Sequence, residues 1–170
     1  MAETSASSLQ RLLGIALLRA GPDELPCSNA LLGGTIAATA AINYPVIQRY
    51  TPEVDPLVQI LLLIAYNAAF LAVALRMRGV PARFTQTATA VFGTDAIISA
   101  VALPVLLGLG QPNETNGLAA GLFLALLLWN IAVVSRILRA ALSMTTGFAV
   151  GLALVYLFGA SVFVRGLTGA

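Results

Sequence analysis

The sequence contains no histidine and no lysine, and its only cysteine is Cys27. The absence of histidine removes the most common general base and the most common metal ligand of proteins. A single cysteine cannot form an internal disulfide or a thiolate cluster. The sequence therefore offers no candidate catalytic residue, metal site or cofactor site, and we predict a protein that is not an enzyme.

Charge is also scarce. Only 9% of the residues are charged, whereas about 25% is usual in soluble domains. Hydrophobic residues make up 59% of the chain and come in runs of about 17 to 25, long enough to cross about 30 Å of hydrocarbon. This composition predicts an all-α, polytopic membrane protein whose main partner is lipid. A net charge of +2 gives no indication of nucleic-acid binding.

Five apolar runs are predicted to form transmembrane helices, and the connections between them are too short to hold another domain. The predicted spans cover residues 30–47, 57–75, 85–109, 118–134 and 145–164. Residues 30–170 should therefore form one five-helix domain. Residues 1–29 should supply a cytoplasmic tail, a short helix and the loop that precedes the first span.

The segment before the first span is predicted to be a short amphipathic helix. One side of residues 8–19 holds Leu9, Leu13, Ala16 and Leu17, and the other holds Ser8, Arg11 and Arg19. Because about a dozen residues cannot cross a bilayer, we expect the helix to lie in the membrane interface; packing on the cytoplasmic ends of the spans is the alternative. Two prolines end this helix, and Ser28 or Asn29 can cap the next one.

The placement of arginine predicts the orientation in the membrane. The connections after the second and fourth spans hold the five arginines that we call the arginine rim: Arg76, Arg78, Arg83, Arg136 and Arg139. We therefore expect a cytoplasmic N-terminus and a periplasmic C-terminus, in the inner membrane of a bacterium whose high-GC genome is indicated by the arginine and alanine usage. The rim suits anionic lipid or an acidic partner, or it serves only as a topology signal.

An acid stands within the third span, in VFGTDAIISA. At about 1.5 Å per residue, Asp95, Asn67 and Asn130 come to similar depths, and Thr94 can contribute to the same polar layer. Because a charged acid there costs about 2.5–3.5 kcal/mol, we expect a protonated Asp95 that faces the bundle and bonds to an amide oxygen. Two alternatives remain open. Gly93 loosens the helix so that Thr94 or Asp95 caps a new one, or Asp95 belongs to a proton or ion relay.

Small residues form a second pattern, since glycine at a spacing of four allows helices to approach closely. The residues concerned are Gly33, Gly34, Gly117, Gly121, Gly147 and Gly151. They predict packing within the chain, with contact to an oligomer or a partner as the alternative.

Two stretches carry a resemblance to a known family: LLRAGPDELPCSNALL before the first span, and RFTQTATAVFGTDAIISAVALP leading into the third. With five spans and short loops, they resemble the Yip family of small membrane proteins and its bacterial relatives. Eukaryotic members bind small GTPases through a longer cytosolic N-terminal region, which this chain does not have, so GTPase binding does not carry over. The resemblance implies a non-enzymatic membrane adaptor or organiser.

Two functions remain open from the sequence. The favoured one is a subunit, adaptor or organiser of a membrane assembly that works through helix–helix contacts, with an integral membrane protein or a second copy as its partner. The alternative is a transporter or channel for a small solute or ion, proton-coupled through the Asp95 layer. A water-filled cavity that reaches Asp95 would favour transport, and a dry bundle with an apolar outer groove would favour interaction.

Overall fold

The computed structural model of the chain describes residues 2–108 and 117–169, and these residues form helices without any strand. The helices are α1 (Ala2–Ala16), α2 (Asn29–Tyr50), α3 (Pro56–Met77), α4 (Phe84–Gly108), α5 (Gly117–Leu142) and α6 (Thr146–Thr168), with short 3₁₀ turns at Pro22–Glu24 and Pro81–Arg83. Helices α2 to α6 are each long and apolar enough to cross a membrane. The predicted all-α class and the five candidate spans are confirmed.

The helix ends have local causes. The Ser28 hydroxyl accepts a hydrogen bond from the Leu31 N–H at 3.2 Å, so the predicted cap of α2 is confirmed. The Asp55 carboxylate accepts from the Leu57 N–H at 2.8 Å, and Pro56 occupies the first helical position, where no N–H is needed. We call the end of the bundle at which α2, α4 and α6 begin the near end, and the opposite one the far end.

One predicted boundary is wrong. Residues 135–142 were assigned to a connection because they contain Arg136 and Arg139, but they form the last two turns of α5. The arginines occupy one side of these turns, while Ile137 and Leu138 on the other side are almost completely buried. The prediction is wrong because the arginines do not end the helix. They only mark the end of the part of α5 that is apolar enough for lipid.

Helix α4 lies at the centre, and residues 87–94 are all buried. Three of these residues are threonines, and each hydroxyl donates to the carbonyl four residues earlier in the chain: Thr87 to Arg83 at 2.8 Å, Thr89 to Thr85 at 2.7 Å and Thr94 to Ala90 at 2.7 Å. This local bonding satisfies hydroxyl groups that could not be buried unpaired. A helix buried on all sides shows no apolar stripe, which explains the evenly apolar sequence of α4.

Helix α4 runs without interruption past Gly93, so the alternative in which Gly93 breaks the helix is wrong. Gly93 meets a different requirement. A Cβ atom there would lie 2.6 Å from Cδ2 of Leu12 and 3.2 Å from Cγ2 of Thr35. The missing side chain therefore allows α1 and α2 to approach α4 closely.

The predicted place of helix α1 in the membrane interface stays a prediction. The helix packs against the sides of α4 and α5, and the Trp129 indole N–H donates to the Ala16 carbonyl at 2.8 Å. Gly93, which faces Leu12, lies nine residues after Phe84, about 14 Å along α4 at about 1.5 Å per residue. Ser8 and Leu12 are buried, whereas the leucines of the predicted apolar face point outward: Leu9, Leu13 and Leu17. The bundle thus binds a narrower side of α1, including Ala16, and leaves the three leucines exposed.

The glycine spacings also do not act as predicted. All six glycines are exposed, and a Cβ atom added at any of them would meet no atom within 4 Å; they are Gly33, Gly34, Gly117, Gly121, Gly147 and Gly151. Predicted packing of these glycines within the chain is therefore wrong for residues 2–108 and 117–169, none of which contacts them closely. Helix α6 instead buries Ala149 and Ala153 completely, and the close approach on α6 is that of Tyr66 to Gly159.

Candidate functional site

A cavity of about 230 Å³ lies inside the bundle, and all five long helices contribute to its wall. We call it the Asp95 cavity. Its polar lining residues are Thr39, Asn43, Asn67, Thr94, Asp95, Asn130 and Tyr156. Most of the remaining lining is aliphatic, with Ile47, Ile60 and Ile64 among its members. Polar side chains from five helices are thus gathered around one volume within otherwise apolar helices.

The four residues of the polar layer all line this cavity, so counting residues along the spans located them at compatible depths. Asn67, Asp95 and Asn130 are each partly exposed. Thr94 is buried, and its hydroxyl bonds to the carbonyls of Ala90 and Val91. Thr94 therefore contributes to the wall, while its hydrogen-bonding capacity is largely used by its own helix.

The sequence interpretation missed Asn43, although Asn43 is the residue that contacts the acid. Its amide donates to a carboxylate oxygen of Asp95 at 3.4 Å and to the Thr39 carbonyl at 3.0 Å. The Thr39 hydroxyl in turn donates to the Phe92 carbonyl at 2.7 Å. These bonds join α2 to α4 beside Asp95. The signal that could have revealed Asn43 was an amide in an otherwise apolar span.

Two amides of the cavity lack protein partners. Within residues 2–108 and 117–169, no hydrogen bond reaches the side chain of Asn67 or Asn130, and none reaches the Tyr156 hydroxyl. Over the same residues, every side-chain nitrogen or oxygen that is fully buried has a partner. The unpaired groups must therefore face open volume. Since an unmade hydrogen bond costs about 1–3 kcal/mol, the cavity is suited to water or a polar molecule.

A second cavity, of about 680 Å³, lies at the far end of the bundle between the α2–α3 connection, α3 and the end of α6. We call it the vestibule. Its polar lining residues are Thr51, Glu53, Gln59, Ser161, Arg165 and Thr168. Leu63 and Ala160 line both cavities, and we call this pair the neck. The Asp95 cavity therefore adjoins a polar vestibule through two apolar side chains.

The arginine rim lies at the near end and bonds mainly to backbone. Arg78 donates to the carbonyls of Leu142 and Ser143 at 3.1 and 3.3 Å, and Arg83 donates to that of Ala141 at 3.0 Å. The last carbonyls of a helix lack partners within it, and these two arginines supply them for α5. Arg136 donates to the Ala20 carbonyl and Arg139 to the Thr146 hydroxyl, whereas Arg76 is exposed and has no partner within the described residues.

An outer groove of about 640 Å³ runs between α1, α2 and α4. Its lining is mainly apolar and includes Leu12, Leu31, Ile42 and Ile97, with Ser8 and Ser28 among its few polar members. From the sequence, a cavity at Asp95 would favour transport and an apolar outer groove would favour interaction. The bundle has both a cavity at Asp95 and an apolar outer groove.

The chain matches no family model, no curated protein and no solved structure. The resemblance to the Yip family therefore stays a prediction. Within the described residues, no three cysteine, aspartate or glutamate side chains are grouped so that they could hold a metal ion. Any function must accordingly be inferred from the cavities and surfaces themselves.

Proposed function

We propose that this protein is a membrane transporter or channel that binds a small polar solute in the Asp95 cavity and admits it through the vestibule. The observation that carries this proposal is the set of unpaired polar groups, Asn67, Asn130 and Tyr156, facing a cavity next to a polar vestibule. Polar groups inside a membrane must find partners, and acids within spans commonly mark a solute or ion pathway. A bound solute or water supplies the missing partners.

This proposal reverses the order of preference reached from the sequence. The sequence alone favours the adaptor, because a single acid among apolar spans is typical of a residue that holds helices together. What supports the change is that Asp95 shares a volume of about 230 Å³ with three amides. We keep the proposal that the protein performs no catalysis, because one acid without a base or nucleophile supplies at most one catalytic role.

We further propose that the chain resides in a bacterial inner membrane with its near end in the cytoplasm. Support comes from the arginines: seven belong to near-end segments, namely Arg11, Arg19, Arg76, Arg78, Arg83, Arg136 and Arg139, and two belong to far-end segments, namely Arg49 and Arg165. Cytoplasmic flanks of spans carry the excess of positive charge. The vestibule then opens to the periplasm.

Thiol labelling in sealed membrane vesicles tests access and orientation together. In a Cys27→Ser background, Ser161→Cys places a thiol in the vestibule and Asn67→Cys places one in the Asp95 cavity. We expect a membrane-impermeant thiol reagent to label both in right-side-out vesicles and neither in inverted ones. Ala65→Cys is the matched control, because Ala65 is exposed and lies about 200° around α3 from Asn67 at nearly the same depth; it should stay unlabelled.

The outcomes separate the two parts of the proposal. Labelling of Ser161→Cys and Asn67→Cys in inverted vesicles alone would reverse the orientation and leave solute access intact. If Asn67→Cys reacts no faster than Ala65→Cys in either kind of vesicle, the cavity is closed to water and the transport proposal is wrong.

A second candidate function is the adaptor or organiser, in which the chain associates with another integral membrane protein or with itself. It is favoured by the exposed, unfilled glycine faces at Gly117–Gly121 and Gly147–Gly151 and by the apolar outer groove. A close helix partner could occupy such faces.

Association is measurable as particle mass in mild detergent, beside the 17.6 kDa of one chain. For the adaptor we expect a larger particle or a co-purifying chain. We also expect that either Gly121→Leu or Gly151→Leu abolishes the association, each variant serving as the control for the other. Because neither position has a neighbour within 4 Å among the described residues, both variants should fold. A wild-type chain that runs alone as a monomer would exclude this function.

A further inference from the structure

We infer that the solute taken up by the Asp95 cavity is a small organic cation with an ammonium group and a short aliphatic body. This inference rests on the proposed function, and it adds the chemical class of the ligand. It follows from the charge, the hydrogen-bonding groups and the shape of the lining.

The lining of the Asp95 cavity can carry negative charge but not positive charge. Among the described residues, Asp95 is the only carboxylic acid that lines the cavity, and no arginine lines it. An anion would meet the acid without any positive partner. A neutral solute would require Asp95 to be protonated, because an ionised carboxylate without an opposite charge is costly in the membrane interior. A monovalent cation balances Asp95 one to one.

The hydrogen-bonding groups suit a donor ligand. A carboxylate offers about four lone-pair sites, and Asn43 is the only hydrogen-bond partner of Asp95 within the described residues, at 3.4 Å. Asn67, Asn130 and Tyr156 add oxygen acceptors that no group in the described part of the chain uses. An ammonium group has three donors and no acceptor, so Asp95 and two neighbouring oxygens can satisfy it completely.

The remaining wall suits the body of an organic ligand. Ile47, Ile60, Ile64 and Leu157 give an aliphatic surface, and the rings of Phe92 and Tyr156 belong to the same lining. Aromatic faces attract ammonium groups that lie within about 6 Å of the ring centre. The volume of about 230 Å³ equals that of about eight waters at about 30 Å³ each.

A bare metal ion fits these observations less well. Hard cations take about six or more oxygen ligands at short range, usually from several carboxylates. Here one carboxylate faces a volume many times larger than an ion, and the described residues contain no group of three acids or thiols. An organic cation uses both the charge and the aliphatic wall.

Three four-carbon probes of matched shape test the inference on the full chain in lipid nanodiscs: n-butylammonium chloride, 1-butanol and sodium butyrate, at equal ionic strength and neutral pH. The measurement is the midpoint of thermal unfolding, Tm. We expect n-butylammonium to raise the Tm of the wild type by about 5–10 °C at a hundredfold excess over its Kd, while 1-butanol and butyrate leave it unchanged.

Two variants locate the effect. Asp95→Asn keeps the shape and removes the charge, so the apparent Kd for n-butylammonium should rise at least about tenfold, as expected for loss of a charged hydrogen bond. Asn67→Leu removes a cavity acceptor and should weaken binding less. Should Asp95→Asn fail to fold, weaker binding of n-butylammonium by Asn67→Leu, with unchanged binding by Ala65→Leu, decides the question.

The results distinguish this inference from the proposed function. If 1-butanol stabilises the wild type as much as n-butylammonium does, or if Asp95→Asn and Asn67→Leu bind the cation unchanged, the cation inference is overturned. If none of the three probes acts while Asn67→Cys still reacts with the impermeant thiol reagent, the cation inference falls and the proposed function stands. If Asn67→Cys is also unreactive, both fall.

Discussion

Phe92→Ala should lower the Tm of the protein in detergent by about 6–12 °C. Phe92 is 1% exposed and lies within residues 87–94 of α4, all of which are buried. Truncating a buried phenylalanine costs about 3–5 kcal/mol. We expect the lower end, about 3 kcal/mol, because lipid or detergent rather than water solvates the released helices. For a chain of this length, 1 kcal/mol corresponds to about 2–4 °C.

The matched control for Phe92 is Phe148, a phenylalanine of α6 that is 79% exposed. Phe148→Ala removes the same atoms from a surface that touches no core, so its Tm should stay within about 2 °C of the wild type. A loss at Phe148→Ala as large as that at Phe92→Ala would show that α6 is covered by a further chain. A negligible loss at Phe92→Ala would mean that α4 is not the central helix.

The fold was largely readable from the sequence because span length and span ends depend on local chemistry. A run of apolar residues between charged connections sets each long helix, and Ser28 caps α2 through its own backbone. The place of α1 depended on a contact instead. Its Ala16 carbonyl meets the Trp129 indole, 113 residues away in the chain, and no local pattern encodes that meeting.

The glycine spacings show a second limit of the sequence. Glycines four residues apart allow another helix to approach closely on one side. The rotation of the helix about its own axis decides whether a neighbour lies on that side. Gly147 and Gly151 lie on the open side of α6, while Ala149 and Ala153 lie against the bundle. Small residues occupy both sides, so the pattern alone could not choose.

The polar layer was partly readable because depth can be counted along a helix. Asp95 lies eleven residues after Phe84, and Asn43 lies fourteen after Asn29, so both lie about 17–21 Å from the near end at about 1.5 Å per residue. The same counting could have included Asn43. What it could not reveal is that α2 and α4 pack together, with Thr39 bonded to the Phe92 carbonyl. It also could not reveal that the side chains enclose a volume instead of filling it.

A larger side chain at the neck should sharply reduce access of water-soluble reagents to the Asp95 cavity. Ala160→Leu should reduce labelling of Asn130→Cys by the impermeant thiol reagent to the level of the lipid-facing control Ala65→Cys, in a Cys27→Ser background. The reason is that Ala160 and Leu63 are the residues common to the vestibule and the Asp95 cavity, and a leucine at position 160 adds bulk between them. A thiol cut off from water does not ionise, and the thiolate is the form that reacts.

Two controls make the loss specific to the neck. Ala160→Ser is close to alanine in size and should leave the labelling of Asn130→Cys unchanged, which separates steric closure from general disturbance of α6. Ser161→Cys, on the vestibule wall, should stay reactive in the Ala160→Leu protein, which shows that the vestibule remains open. If Asn130→Cys keeps its full reactivity behind Ala160→Leu, the solute reaches Asp95 by another route. The vestibule would then have no part in transport, because the neck is where it adjoins the cavity.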